Sequence, residues 1–225
     1  MAGKRRVTRE VIIETARRRV AEDGTAALTF QAIAGALGVS KQAIIYWYPS
    51  RAELIRDFCL PVLAAEREAT SAAIADATTG AEAVERHVRA LVAFHLGDLN
   101  RFRMMYLRTQ LEPDFAPTSA GEAVLLDPIH QTTSAAYDLL EARIAADAAY
   151  RGAEDPRTLA VAVDMAAIGL VTMLAMAEAI QDPWKQSPGE LLDALVALLA
   201  RPAPRLREPR GQGSRPTRTA ATTAR

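Results

Sequence analysis

A single cysteine, an aromatic content of 5% and no convincing run of alternating apolar and β-branched residues set the first limits on this 225-residue chain. Cys59 by itself cannot build an intrachain disulfide framework and fits a reducing cytosol. A lone thiol of this kind reads as inert and buried, since free cysteine is among the most buried residue types. Strand patterning is missing while alanine, leucine and arginine are plentiful, so the chain reads as all-helical. No apolar core follows the basic start "MAGKRRVTREVII", and no signal peptide is visible. The most apolar run, "MAAIGLVTMLAMA" between Asp164 and Glu178, has 13 residues, too few to span a bilayer, and reads as buried helix. A cytoplasmic protein without a membrane partner is the expectation.

Catalytic signatures are missing as well. The chain has no Gly-x-Ser-x-Gly elbow, P-loop or dinucleotide fingerprint. A di-iron bundle needs two Glu-x-x-His pairs, and only the imperfect Asp127-Pro-Ile-His130 comes near. His87, His95 and His130 are too dispersed for a metal site. No enzyme, cofactor or metal is therefore expected.

What is present begins with a division of charge hidden under a net charge of zero. Residues 1–58 hold 10 Lys/Arg against 6 Asp/Glu, residues 59–200 hold 10 against 20, and residues 201–225 hold 7 against one. A basic head on an acidic body implies that the head alone meets a polyanion. The last segment, rich in Arg, Pro, Gly and Thr without apolar periodicity, reads as a disordered tail.

Helix starts are marked chemically. Ser50-Arg-Ala-Glu53 forms a capping-box pattern, and Asp127-Pro128, Asp155-Pro156 and Ser187-Pro188 each pair a cap with a proline at the first helical position. The resulting map places helices near 8–23, 30–37, 41–47, 51–77, 81–98, 100–110, 128–150, 156–181 and 188–200. Residues 111–126, with Pro113 and Pro117, form an irregular connection with room for a short helix near Glu122.

The first three helices form a unit. Ile12, Ala16 and Val20 make an apolar stripe, Ile33 and Leu37 lie one turn apart after a Thr29 cap, and Gly38-Val39-Ser40 turns the chain into a short third helix. Two short helices joined through a glycine turn make a helix-turn-helix. Ile44 and Tyr48 define its inward side, which leaves Gln42 and Tyr46 opposite, flanked by Ala43 and Ile45, with Lys41 and Trp47 at the edges. Tyr46 and Trp47 offer donors to phosphate oxygens, Gln42 can read a base edge, and Lys41 supplies charge. Arg51 adds a cation at a helix N-terminus.

The stretch "LTFQAIAGALGVSKQAIIYWYPSRAELI", Leu28 to Ile55, resembles the TetR family of bacterial transcriptional regulators. It has the Thr-capped helix, Ile-Ala, Gly-Val-Ser, an aromatic cluster, then a basic residue and a leucine. The resemblance implies a head (1–58) that reads duplex DNA and a helical body (59–200) that binds an effector and dimerises. By position it implies DNA contacts at Thr29, Gln31, Ser40, Lys41, Gln42, Ala43, Ile45, Tyr46, Trp47 and Arg51. Ile45 departs from the tyrosine common in the family, so one phosphate contact is lost or replaced by apolar contact with a thymine methyl group.

The body supports this reading independently. Helix 156–181 is apolar on nearly every side and must be covered all round. Its Ala162, Ala166, Gly169 and Met173, with Leu191, Leu195 and Leu198 of the last helix, are the expected homodimer contacts, two helices from each chain. Phe94, His95, Phe102, Met104, Met105, Tyr106 and Tyr137 are the expected pocket wall for a largely apolar small molecule. The function expected is a ligand-responsive, sequence-specific repressor released from a palindromic operator. A helical adaptor for a protein partner, or an activator of the same family, are the alternatives.

Overall fold

The computed structural model describes residues 7–24, 27–108, 120–151, 155–183 and 185–200. The architecture is all-α, with no strand among the described residues. A head of α1 (Arg9–Asp23), α2 (Phe30–Leu37) and α3 (Lys41–Trp47) leads into the long α4 (Arg51–Ile74). The body continues with α5 (Gly80–Leu96), α6 (Leu99–Phe102), α7 (Ala120–Leu125), α8 (Asp127–Ala136), α9 (Asp138–Ala146), α10 (Pro156–Ile180) and α11 (Pro188–Leu199). Helix α5 is the body's axis and packs against α4, α9, α10 and α11. Its Val84, Val88, Leu91 and Val92 recur at helical spacing and are fully covered.

Two apolar cores result. One holds Ile12, Ala16, Val20, Ile33, Ala34, Ile44 and Tyr48 from the head, then continues through Leu54, Phe58, Val62 and Leu63 of α4 to Met104 and Met105. The other joins α5 to α9, α10 and α11 through residues such as Leu140, Ile144, Val163, Val171 and Val196. Residue 58 lies inside α4, so one continuous helix runs from the head's core into the body.

Local chemistry sets most boundaries. Thr29, Ser40, Ser50, Thr79, Asp155 and Ser187 each accept a hydrogen bond from a first-turn amide. Only half of the expected box at Ser50 forms, because the Glu53 carboxylate pairs with Arg9 instead. The complete box occurs at Ser187 and Glu190. Asp127 lies one residue inside its helix, with Leu126 at the cap position and no side-chain cap bond.

The single helix expected over 128–150 is divided. The Arg157 guanidinium takes the Ser134 carbonyl at 2.6 Å, and the Tyr137 amide bonds that same carbonyl in a tightened turn. The chain therefore bends at Tyr137 between α8 and α9. Asp147 then leaves the helix to accept from the Gly80 amide at 2.7 Å, which caps α5, and a 3-10 turn follows over Ala148–Tyr150. The expected helix 100–110 begins at Leu99 and widens into a π-helical segment, Arg103–Arg108. The wider turn lets Phe102, Met104 and Met105 all face inward, and such segments recur at functional sites. Glu122 does lie on a short helix, α7. Pro113, Pro117 and the tail 201–225 lie outside the described residues.

Gly80 marks a close approach. A Cβ there would stand 2.9 Å from the Tyr150 ring and 3.1 Å from Asp147 Cβ. Gly80→Ala is expected to destabilise by about 1–3 kcal/mol through overpacking. A urea titration of both proteins checks this; an unchanged midpoint would mean that Tyr150 moves aside freely.

Candidate functional site

Helix α3 is held by its two ends and its inner face. Gly38 adopts the left-handed conformation (φ 66, ψ 34), where glycine avoids the Cβ penalty, and the Val39 amide reaches back to the Ala34 carbonyl at 3.0 Å. Ser40 caps the helix through the Ala43 amide at 3.2 Å. Ile44 and Tyr48 are fully buried, as their one-turn spacing implies. The outer face then presents Lys41, Gln42 and Tyr46 to solvent, with Tyr46 77% exposed. Ala43 and Ile45 are half-buried beside them.

Trp47 departs from a purely outward role. Its side chain packs partly against the head core while meeting Tyr46 edge-to-face at 5.5 Å. Thr29, Gln31, Lys41 and Arg51 surround one hollow on the head, so residues from three helices converge there. Thr29 Oγ1 is engaged in capping the Ala32 amide at 3.1 Å.

Arg9, not singled out from the sequence, fastens this face. Its Nε donates to the Trp47 carbonyl at 3.0 Å, its guanidinium lies 4.6 Å over the Tyr48 ring and pairs with Glu53, and Asp57 is 3.5 Å away. The Tyr48 hydroxyl donates to Asp57 at 3.1 Å. Burial, with Asp57 beside it, pushes this hydroxyl far above its ordinary value, so it stays a donor. The end of α3 is thereby tied to both α1 and α4. Arg9 and Asp57 lie 48 residues apart, and no local pattern announces their pairing.

The body holds a cavity of about 300 Å³. α4 lines it with Ala52, Ile55, Cys59, Leu63 and Glu66, and Met105 and Tyr106 enter from the π-helical segment. Ile129, His130, Thr132, Thr133 and Ala136 of α8 form the opposite side, with Leu126 before them, and Tyr137 and Asp164 complete the wall. Of the residues expected there, Met105, Tyr106 and Tyr137 stand on the wall. His95, Phe102 and Met104 are fully buried, with His95 packed edge-on to Phe102 and Tyr106 at 5.1 and 5.3 Å. Phe94 lines a different hollow, against Arg17 and Val20, under the Arg101 guanidinium at 4.5 Å.

Two buried polar clusters reach this wall. The Tyr106 hydroxyl donates to Glu66, 2.9 Å from Oε2, and His95 Nε2 lies 2.9 Å from the same oxygen. That imidazole contact is out of line for an N–H···O bond. His87 Nε2 lies 3.0 Å from Asp164 Oδ1 in hydrogen-bonding geometry, and the Tyr137 phenol stands near enough to Asp164 to feel its charge. Burial and the neighbouring carboxylates push Tyr137 up to about 12 and Tyr106 still further. No cluster with metal-ligand composition occurs among the described residues.

Cys59 sits on the cavity wall, and burial pushes its thiol up to about 12. In the unfolded chain it ionises near 9, so between those values the unfolded state holds fewer protons. Its contribution is intact below that range and is lost as pH rises, by about 1.4 kcal/mol per pH unit. Denaturant midpoints measured upward from about pH 9 should fall, and Cys59→Ser should remove this component. Iodoacetamide should accordingly modify the folded protein slowly and the unfolded protein fast.

A third feature lies on the last two long helices. On α10, Ala162, Met165, Gly169, Met173, Met176 and Ile180 recur at three- and four-residue spacing and are exposed, with Ala166 half-buried among them. On α11 Leu198 is exposed, and Leu191 and Leu195 are half-buried. By length and composition alone α10 could cross a membrane, but its inner face is packed into the body's core.

Residues 12–58 match the family described as bacterial regulatory proteins, tetR family. No curated protein sequence matches the chain significantly. Among solved structures, the transcriptional regulator FadR from Bacillus subtilis, in complex with stearoyl-CoA, superposes with a TM-score of 0.65 at 16% identity, covering 86% of this chain and 98% of that one. A tetR-family regulatory protein from Rhodococcus RHA1 gives 0.59 at 17% identity, with 89% and 96% covered. A TetR/AcrR-family regulator from Thermobifida fusca gives 0.55 at 20% identity, with 85% and 96% covered. The sequence match to the tetR family falls on the head that carries α3, at residues 12–58, and the likeness of fold to these regulators runs on through the body.

Proposed function

We propose that the protein is a dimeric repressor in the cytoplasm, released from a palindromic operator when a small, largely apolar molecule enters the cavity of the body. One observation carries this reading. Helix α4 starts beside α3, contributes Leu54 and Phe58 to the head's core, and lines the cavity with Ile55, Cys59, Leu63 and Glu66. A ligand that moves α4 therefore moves the head. Ligand and DNA favour different positions of one rigid element, which is the requirement for coupling between two sites.

The DNA reading assigns base and groove contacts to Lys41, Gln42, Ala43 and Ile45. It assigns backbone contacts to Thr29, Gln31, Ser40, Tyr46, Trp47 and Arg51. Half-burial of Trp47 suits a phosphate contact from the edge of α3 rather than insertion into the groove. The dimer reading uses the exposed apolar stripe of α10 and the neighbouring face of α11, since a stripe of this kind is rarely left to water. A two-fold dimer presents its heads to half-sites about 34–36 Å apart, or a multiple of that.

The test is a mobility shift of the purified protein on DNA upstream of its own gene, over a salt series. A specific, salt-weakened shift with two-fold-symmetric protection is the expected result. No shift on that DNA or on random genomic fragments at low salt would favour a protein-binding adaptor instead.

A further inference from the structure

The polar groups on the cavity wall share one property: nearly all of them accept. Glu66 and Asp164 are carboxylates held in the wall, at 6% and 8% exposure. The hydroxyl hydrogen of Tyr106 is committed to Glu66, and the Tyr137 phenol stands beside Asp164. Burial keeps both phenols protonated well above neutral pH. Thr132 and Thr133 spend their hydroxyl hydrogens on the Pro128 and Ile129 carbonyls, at 2.8 and 3.0 Å. What Glu66, Asp164, Tyr106, Thr132 and Thr133 leave facing the cavity are lone pairs.

Positive charge is scarce there. Among the described residues of the wall there is no lysine or arginine. Arg157 lies 5.1 Å over the Tyr137 ring, but its N–H groups go to Ser134, Asp138 and Glu141. His87 and His95 stand behind the carboxylates rather than on the wall. Among the described wall residues His130 is the one able to carry a proton charge, and it is solvent-exposed.

We infer that the effector is an apolar molecule bearing a protonated amine, held by Glu66 and Asp164, and that fatty acids and acyl-CoA thioesters are excluded. The inference rests on the ligand-cavity reading above and narrows it. An ammonium group finds two carboxylates and two tyrosines, whose oxygens and ring faces favour a cation. A carboxylate or a coenzyme A phosphate would be desolvated mainly against acceptors, with the exposed His130 in place of any lysine or arginine among the described wall residues. The relative seen with stearoyl-CoA shares the fold, and fold alone does not transmit ligand chemistry.

Calorimetric titration of the full chain with decylammonium, decanol, decanoate and stearoyl-CoA, each below its micelle concentration, tests this. Decylammonium should bind about ten-fold or more tighter than decanol, with no detectable binding of the two anions. Ala136→Phe, which fills the cavity, should abolish binding of both the amine and the alcohol. Glu66→Gln with Asp164→Asn should erase the difference between amine and alcohol while decanol still binds, which also reports an intact cavity. The single variants, each judged against decanol, serve if the pair does not fold. Decanoate or stearoyl-CoA binding as tightly as the amine overturns the inference and leaves the ligand-cavity reading standing. An amine preference that survives the carboxylate variants, or binding indifferent to Ala136→Phe, also overturns it. Silence from all four probes overturns the cavity reading with it.

Discussion

Alanine at both Lys41 and Tyr46 is expected to weaken specific DNA binding by about 2–4 kcal/mol, one to three orders of magnitude, without unfolding the protein. Both side chains stand on the exposed face of α3. Tyr46 makes an edge contact with Trp47 but is otherwise open to solvent, so its removal leaves no cavity. Stability should therefore stay within about 0.5 kcal/mol of the parent. The slope of affinity against salt should shrink by roughly one ion for the lost lysine. Titrations of labelled operator at several salt concentrations, beside a thermal melt, separate the two effects. Undiminished affinity in the double variant would remove α3 as the reading element, since the inner face of that helix is committed to Ile44 and Tyr48.

Phe58→Ala should do the opposite, with a loss of about 3–5 kcal/mol in stability from a residue that touches no ligand. Phe58 is 1% exposed and sits where α4 passes from the head into the body, near Val20 of α1 and Phe94 of α5. Truncation leaves a hole flanked by two elements that cannot both close on it, because α1 is tied to α4 through Arg9 and Glu53. The melting temperature should fall by roughly 6–20 °C for a chain of this size. DNA binding at low temperature should also weaken, because α3 depends on the same core. A change below about 1 kcal/mol would mean the joint relaxes freely and α4 is a poor transmitter between cavity and head. The coupling proposed for α4 would then need another element.

Much of the head was legible in the sequence because its determinants are local. Gly38 and the Ser40 cap act within four residues, and the inward side of α3 follows from Ile44 and Tyr48 being one turn apart. The same short-range chemistry announced the starts of α10 and α11 at Asp155 and Ser187. It failed at Ser50, where Glu53 had a choice between the amide behind it and a guanidinium 44 residues away, and took the ion pair. It failed again over 128–150, where helix-forming residues continue but Arg157 and Gly80 compete for Ser134 and Asp147.

The cavity was the least legible part. Met105, Tyr106 and Tyr137 could be named as polarizable residues on the right helices, but His95, Phe102 and Met104 have the same character and are packed solid. Composition cannot tell wall from filling, since both are apolar and helical. The residues that give the cavity its chemistry, Glu66 and Asp164, resemble ordinary surface carboxylates until the fold buries them beside His95 and His87.

The sequence by itself thus determined the helical class, the helix-turn-helix head and the division of charge, because periodicity, capping and net charge are properties of neighbours along the chain. Only the tertiary structure decided which apolar residues enclose space, which acids face it and how Arg9 locks α3. Those outcomes depend on pairs tens of residues apart, and desolvation acts on them only once the chain has closed around them.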